Sequence, residues 1–307
     1  MTEPAIEIRD VAYRYGDRLA VDDLSLDVAR GEIFALLGPN GSGKTTLFRL
    51  VSTLIPLQQG EVRILGRCLR RETVAVRRSL GVVFQAASLD KKLTVAENLR
   101  HRGWLHGLSG EALIRRRDEL IEQFHLADRA ADRVETLSGG MRRRLDIACG
   151  MLPRPSILVM DEPSTGLDPS ARLDLWRLLR GLRDAEGVTI ALTTHLLEEA
   201  DKSDRLAILD GGRLVALDTP TALRESLGGD TITIQTADAK ALAANIHERF
   251  DVTADGSDGS VRIRQADGHR LIGPLAEAFP EAIAAITFGK PTLEDVFVAR
   301  TGHAFQQ

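Results

Sequence analysis

Eight consecutive residues, Gly38, Pro39, Asn40, Gly41, Ser42, Gly43, Lys44 and Thr45, satisfy the pattern G-x-x-x-x-G-K-[ST] in full. Glycines at these places let backbone N–H groups converge on a β-phosphate, and the start of a following helix adds positive potential. Lys44 can then bridge β- and γ-phosphates, the Thr45 hydroxyl can ligate Mg²⁺, and Thr46 completes the binding set. The flanks supply the required context: "GEIFALLG" is a short buried strand and "KTTLFRLVSTL" has helical spacing. A second set of reactive groups follows the apolar run "ILVM", which delivers Asp161 and Glu162 at the C-terminal end of a strand. Ligands bind at that end in an open α/β sheet. Two acids there are usually just a solvated strand end. Beside a phosphate loop, Asp161 becomes a candidate to hold Mg²⁺ through water, and Glu162 a general base for the attacking water.

A second glycine turn, Leu137-Ser138-Gly139-Gly140-Met141, opens another helix and carries no lysine. With this turn shortly before the acid-bearing strand, the chain resembles the nucleotide-binding subunits of ABC transporters over about residues 5–220. The resemblance implies an ATPase using ATP and Mg²⁺, with two cassettes paired head to tail. Ser138 and the N–H groups of Gly139 and Gly140 would then cover the γ-phosphate of the ATP held by the partner's loop. Met141 stands where the family's signature usually has Gln. The resemblance also implies Tyr15 as the aromatic that stacks on adenine, although Tyr13 sits two residues away on what the strand spacing makes the same face. It implies Gln85 as a contact to Mg²⁺ and the attacking water, and Asp168 as the residue of the loop that crosses to the other subunit. His195 would be the switch histidine at the γ-phosphate.

Composition is consistent with this and narrows the partners. The chain has 307 residues, 27% charged and 43% apolar, with a formal net charge of -4. Its pI near 6.0 argues against a nucleic-acid coat. Cys68 and Cys149 are far apart and have no metal spacing. No apolar run approaches the roughly 18 residues of a spanning helix, and no signal peptide is expected. A separate membrane chain must therefore do any spanning, and the expected location is the cytoplasmic side of the cell membrane.

The elements that must position these groups alternate as α/β, which predicts a P-loop cassette over 1–220. A run of helical spacing and many arginines over about 88–150 reads as an inserted helical subdomain. From 221 to 307 the order strand, helix, strand, strand, helix, strand predicts a small accessory domain of the α+β, ferredoxin-like kind. A last helix there carries Leu293, Val296 and Phe297 as an apolar stripe with no sheet left to cover. That stripe suggests docking on the cassette or on a partner's copy; simple capping of its own domain is the other reading. Arg142, Arg143 and Arg144 read as a solvated or ion-paired helix face. Trp104 reads as core of the helical arm or as a surface for a membrane partner, Trp176 as helix packing, and Cys149 as a small buried residue.

"LDKKLTVAENL", "GGMRRRLDIACGML" and "KPTLEDVFVARTG" are similar to the daunorubicin-resistance-type branch of the exporter ATPases. That resemblance implies an ABC-2-type permease partner and export of drugs, antibiotics, lipids or polysaccharides. ABC ATPases also act on ribosomes and nucleic acid. The arm is short for the DNA-repair kind, and a single cassette is too few for the ribosomal kind, so no nucleic acid is expected.

Overall fold

The computed structural model describes residues 3–257 and 259–305. The chain divides into two compact units, one reaching Thr219 and the other running from Pro220 to Phe305. The first begins with strands β1 (Ile6–Tyr15), β2 (Arg18–Val28) and β3 (Ile33–Leu37), then α1 (Lys44–Val51). Next come β4 (Gln59–Ile64), β5 (Arg67–Cys68), α2 (Thr73–Ser79) and β6 (Leu80–Val83). Three helices follow, α3 (Val95–Leu105), α4 (Gly110–Gln123) and α5 (Gly139–Met151). The unit closes with β7 (Ile157–Met160), α6 (Pro169–Glu186), β8 (Thr189–Thr194), α7 (Leu197–Ala200), β9 (Arg205–Asp210) and β10 (Arg213–Asp218).

Strands β3 and β7 are buried at every position. That is what a parallel strand needs when both faces are covered, and it is why both read as unbroken apolar runs. They belong to a six-stranded sheet of order β10-β9-β3-β8-β7-β6, parallel except for the β9–β10 hairpin. A second, antiparallel sheet of order β2-β1-β4-β5 shows the alternation of a sheet with one covered face. Ile6, Ile8, Leu26, Val28, Val62 and Ile64 from that sheet share one core with Phe34, Leu36 and Val159 from the other, and α1 adds Leu47, Phe48 and Val51. Each such side chain contributes about 1.5–3 kcal/mol on burial. This core fixes the C-terminal ends of β3, β8, β7 and β6 side by side. The segments leaving those four ends begin, respectively, at Gly38, His195, Asp161 and Phe84.

In the helical arm, Thr94 and Glu97 form a capping box at the start of α3, and Val95, Leu99, Leu113, Leu120 and Leu145 are buried. Trp104 is not core: it is 50% exposed, because it falls on the outer face near the end of α3, with Arg100 over its ring. Trp176 and Cys149 are buried.

The second unit contains α8 (Pro220–Glu225), β11 (Asp230–Gln235), α9 (Ala239–Phe250), β12 (Ala254–Ser257), β13 (Ser260–Gln265), α10 (Ile272–Ala278), β14 (Ala285–Gly289) and α11 (Leu293–Thr301). The strands form an antiparallel sheet of order β12-β13-β11-β14. Asp258 lies outside the described residues. Ile232, Ile234, Val261 and Ile263 point to one face and pack with Leu242, Ile246 and Leu275 from α9 and α10. Thr233 and its partner Arg262 point to the other face. There Arg262 pairs with Glu294 at 2.6 Å and Asp295 at 3.5 Å, both on α11. Leu293, Val296 and Phe297 are buried, and α11 packs against α8. The stripe of α11 therefore has a home within its own unit. The sequence pattern accounts for one sheet face and leaves the second open, and α11 is what covers it.

Candidate active site

The glycines of the loop after β3 are required by space as well as by backbone angle. A Cβ on Gly38 would stand 2.5 Å from both the Leu209 carbonyl and Ser42 Oγ. Gly43 has φ +100°, and a Cβ there would collide with the Ala20 carbonyl oxygen. Gly43 caps α1, so the N–H groups at the start of the helix stay open to an anion. Pro39 is half-buried and Asn40 and Gly41 are exposed, while Ser42, Lys44 and Thr46 are buried. Lys44 Nζ donates to the carbonyls of Gly38 at 2.7 Å and Pro39 at 2.9 Å. An ammonium has three donors, so one direction remains for a phosphate. Burial pulls the Lys44 pKa below the usual lysine range, and the Glu162 and Asp161 carboxylates oppose that shift. Ser42 Oγ is buried with no partner, an orphan that a ligand oxygen would satisfy.

At the end of β7, Asp161 and Glu162 are both buried. Thr193, on the neighbouring strand β8, holds the two together. Its hydroxyl donates to Asp161 Oδ1 at 2.6 Å and accepts from the Glu162 N–H at 2.9 Å. Thr45 Oγ1 lies 3.5 Å from the same Asp161 oxygen. Burial raises the Asp161 pKa above the ordinary aspartate value, and the Thr193 bond works against that rise. Glu162 has φ +44°, the left-handed region that costs a non-glycine residue roughly 1–2 kcal/mol. That backbone turn sends its side chain across to three other groups. Gln85 Nε2 donates to Glu162 Oε2 at 3.3 Å and Thr165 Oγ1 donates to it at 3.1 Å. His195 Nδ1 stands 3.2 Å from the same oxygen, within ion-pair range for a protonated ring but not aligned as a hydrogen bond.

The structure thus brings Lys44, Thr45, Gln85, Asp161, Glu162 and His195 to one sheet edge. The second glycine turn stands apart. Among the described residues, no hydrogen bond or ion pair joins Ser138, Gly139, Gly140 or Asp168 to the loop 38–46. Ser138 is exposed and caps α5, accepting from the Met141 N–H at 3.2 Å. Asp168 caps α6 in the same way, accepting from the Ala171 N–H at 2.9 Å. The two helix starts are neighbours: a Cβ on Gly140 would lie 3.1 Å from Ala171 Cβ. Tyr15 is 42% exposed and Tyr13 is buried, and their rings meet edge to face with centroids 4.9 Å apart, as neighbours on one face do. The β1–β2 register shifts between Tyr13 and Arg14, where the partner steps from Val21 to Leu19, so the extra residue lies on β2.

Two residues of the site were not visible as such in the sequence. Thr193 reads as one more β-branched strand residue, and no local signal distinguishes it. Arg143 is not part of a solvated face: it is buried and donates to the carbonyls of Phe84 and Gln85. Its neighbour Arg144 pairs with Asp174 at 3.1 Å, as an ion-paired face would.

A P-loop at the end of a central parallel strand, facing an acid pair on the next strand but one, defines the P-loop NTPase class of fold. A family model described as "ABC transporter" matches residues 21–165. The chain is 40% identical to the daunorubicin resistance ATP-binding protein DrrA3 of Streptomyces coeruleorubidus, covering 98% of this chain and 97% of that one. It is 38% identical to the Nod factor export ATP-binding protein I of Rhizobium sp. (strain N33), over the full length of both. It is 33% identical to the linearmycin resistance ATP-binding protein LnrL of Bacillus subtilis (strain 168), covering 98% and 99%. Among solved structures, a dimeric post-hydrolysis state of the ATP-binding cassette MJ0796 bound to ADP and Pi is similar, at 27% identity and a TM-score of 0.63, covering 70% of this chain and 98% of that one. An ATP-binding subunit of an ABC transporter is similar at 32% identity and a TM-score of 0.64, covering 73% and 93%. The chain belongs to the ABC transporter family, as one of its ATP-binding ATPase proteins.

Proposed function

We propose that this chain is the ATPase subunit of an exporter, and that it drives a separate ABC-2-type permease through ATP-dependent, head-to-tail pairing of two copies. The observation that carries the reading is the meeting of Lys44, Thr45, Asp161, Glu162, Gln85 and His195 at the ends of four adjacent strands. ATP phosphates rest on the N–H groups of residues 38–46, and Lys44 spends its remaining donor on them. Tyr15, exposed beside the loop's own sheet, stacks on the adenine. Ser138 and Gly139 are exposed and Gly140 is half-buried at a helix start, and they close over the γ-phosphate held by the partner copy. Asp168 lines the same crossing.

The donor set fits Mg²⁺: one carboxylate, one hydroxyl and one amide suit an ion that keeps phosphates and waters as its other ligands. No group of three or more His, Cys, Asp or Glu that could hold a metal occurs among the described residues. Thr45, Asp161 and Gln85 would hold the ion, which would supply neutralisation of phosphate charge. Glu162 accepts a proton from the attacking water, while Gln85 and His195 orient that carboxylate and the γ-phosphate. Residues 1–220 act as the cassette, with 88–150 as the arm that meets the permease, and 221–307 as an accessory domain. No helix among the described residues is long and apolar enough to cross a membrane. The working location proposed is the cytoplasmic face of the membrane, with the spanning left to the permease. The cargo is of the drug, antibiotic, lipid or polysaccharide kind that such exporters move.

Glu162→Gln tests the reading. It should keep ATP binding, lose about 10²-fold or more in hydrolysis, and accumulate as an ATP-bound dimer on size exclusion with light scattering. Hydrolysis near the wild-type rate would remove Glu162 from its assigned role.

A further inference from the structure

We propose that Arg143 is a positioning residue that ties the helix behind the signature turn to the backbone of Gln85, so that each copy's α5 links the two ATP sites of the pair. The inference rests on the head-to-tail reading above. Arg143 Nη1 donates to the Phe84 carbonyl and Nη2 to the Gln85 carbonyl, both at 2.8 Å. These are the two carbonyls next after the end of β6, an edge strand whose loop has no ladder partner for them. A guanidinium is a rigid planar fork and can hold two successive carbonyls at once, which a lysine ammonium cannot.

The grip is reinforced from the same helix. Arg143 pairs with Asp146 at 3.5 Å, and both side chains are buried. Asp146 Oδ1 accepts from the Ser88 N–H at 3.3 Å. Arg102, on α3, donates to the Ser88 carbonyl and hydroxyl. The segment from Phe84 to Ser88 is therefore held along its length by α5 and α3, while the Gln85 side chain reaches the other way to Glu162. Burial pushes the Arg143 pKa down and that of Asp146 up, so the pair is kept at an electrostatic cost. A buried ion pair is on average no more stabilising than apolar residues of the same volume. Stability alone thus gives no reason for one here, whereas geometry does.

Arg143 lies five positions after Ser138, about 7.5 Å along a rigid helix. Ser138 faces the partner's γ-phosphate in the paired state, and Arg143 fixes the glutamine of its own site. Seating a phosphate at one site then sets Gln85 at the other.

The test uses the full chain with Mg²⁺ and ATP, and two variants. Arg143→Lys keeps a charge beside Asp146 but loses the fork. Arg143→Gln combined with Asp146→Asn removes both buried charges together, leaving neither unpaired. Steady-state hydrolysis against ATP concentration yields kcat and the Hill coefficient, and a fluorescent ATP analogue reports binding to the isolated chain. Binding should stay within about twofold of wild type, while kcat falls by about tenfold and the Hill coefficient falls toward 1. A merely structural role would lower the active fraction and leave the Hill coefficient alone. Wild-type kcat, an unchanged Hill coefficient, or a Hill coefficient of 1 in the wild-type protein would each overturn the proposal. Glu162→Gln serves as the control. If it hydrolyses normally, the proposed function fails and this inference with it; if it is silent while the Arg143 variants behave as wild type, only this inference fails.

Discussion

Thr193→Val puts the geometry of the acid pair to a direct test. Valine matches threonine in shape, so packing is kept and only the hydroxyl is lost. That hydroxyl is buried and serves two groups at once, the Asp161 carboxylate at 2.6 Å and the Glu162 N–H at 2.9 Å. Each buried polar group left without its partner costs about 1–3 kcal/mol, so the pair amounts to about 3 kcal/mol, with more if Asp161 stays charged. For a unit of this size that corresponds to a fall of about 6–12 °C in Tm. The deficit should also depend on pH. Burial holds the Asp161 pKa above the ordinary aspartate value even with Thr193 in place. The folded protein therefore keeps that proton to higher pH than the unfolded chain does. The group's contribution to stability falls as pH rises from the unfolded value through the folded one. Removing the Thr193 bond raises the folded pKa further and extends the window upward, so the variant's deficit should be larger at neutral pH than at acid pH. Thermal melts of the nucleotide-free chain at a series of pH values read both effects, and Thr193→Ser, which keeps the hydroxyl, should restore the wild-type pH dependence at a uniform cost of about 1 kcal/mol for the lost methyl. A Tm for Thr193→Val within about 2 °C of wild type, or a deficit flat with pH, would refute the reasoning.

Gly43→Ala should abolish nucleotide binding, by ~10²-fold or more in an equilibrium titration, because its Cβ would collide with the Ala20 carbonyl in a backbone conformation alanine avoids. Lys44→Ala should weaken ATP binding by roughly 10–100-fold, the range for a hydrogen bond to a charged group. Tyr15→Ala should weaken ATP binding by about tenfold with little change in melting, as the loss of a stacking partner would. Tyr13→Ala, at the buried neighbour, should do the reverse and lower stability by about 3 kcal/mol in denaturant titration.

What could be read from the sequence was what is local. The loop 38–45 announces itself because phosphate binding constrains consecutive residues. The strand 157–160 does so because a parallel strand covered on both faces has to be a short apolar run. The strand–helix order after Gly229 was legible for the same reason, since period-two and period-3.6 patterns sit within single elements. The failures all lie where one element meets another. Trp104 reads from its residue type either as arm core or as a surface for a partner, and only the placement of α3 decides that it lies outside. Arg143 reads as one of three charges on a solvated or ion-paired face; it does pair with Asp146, but its burial depends on the loop after β6 lying against α5. Thr193 carried no signal at all, because its role exists only when β7 and β8 are side by side. The left-handed turn at Glu162 is likewise a product of that neighbour, whose hydroxyl holds the strained N–H.

The claim on which the rest depends is that each ATP site is built from two copies, with Lys44 from one and Ser138 from the other. Two heterodimers, each isolated through two different affinity tags, separate this from a self-contained site. In the first, one chain carries Lys44→Ala and the other Ser138→Arg; in the second, one chain is wild type and the other carries both changes. The substitutions are the same in number and kind and differ only in arrangement. With shared sites, the first heterodimer retains one intact site and hydrolyses ATP, while the second has a defect in both sites and is silent. Activity in the second and silence in the first would place Lys44 and Ser138 of one chain in one site and contradict the account.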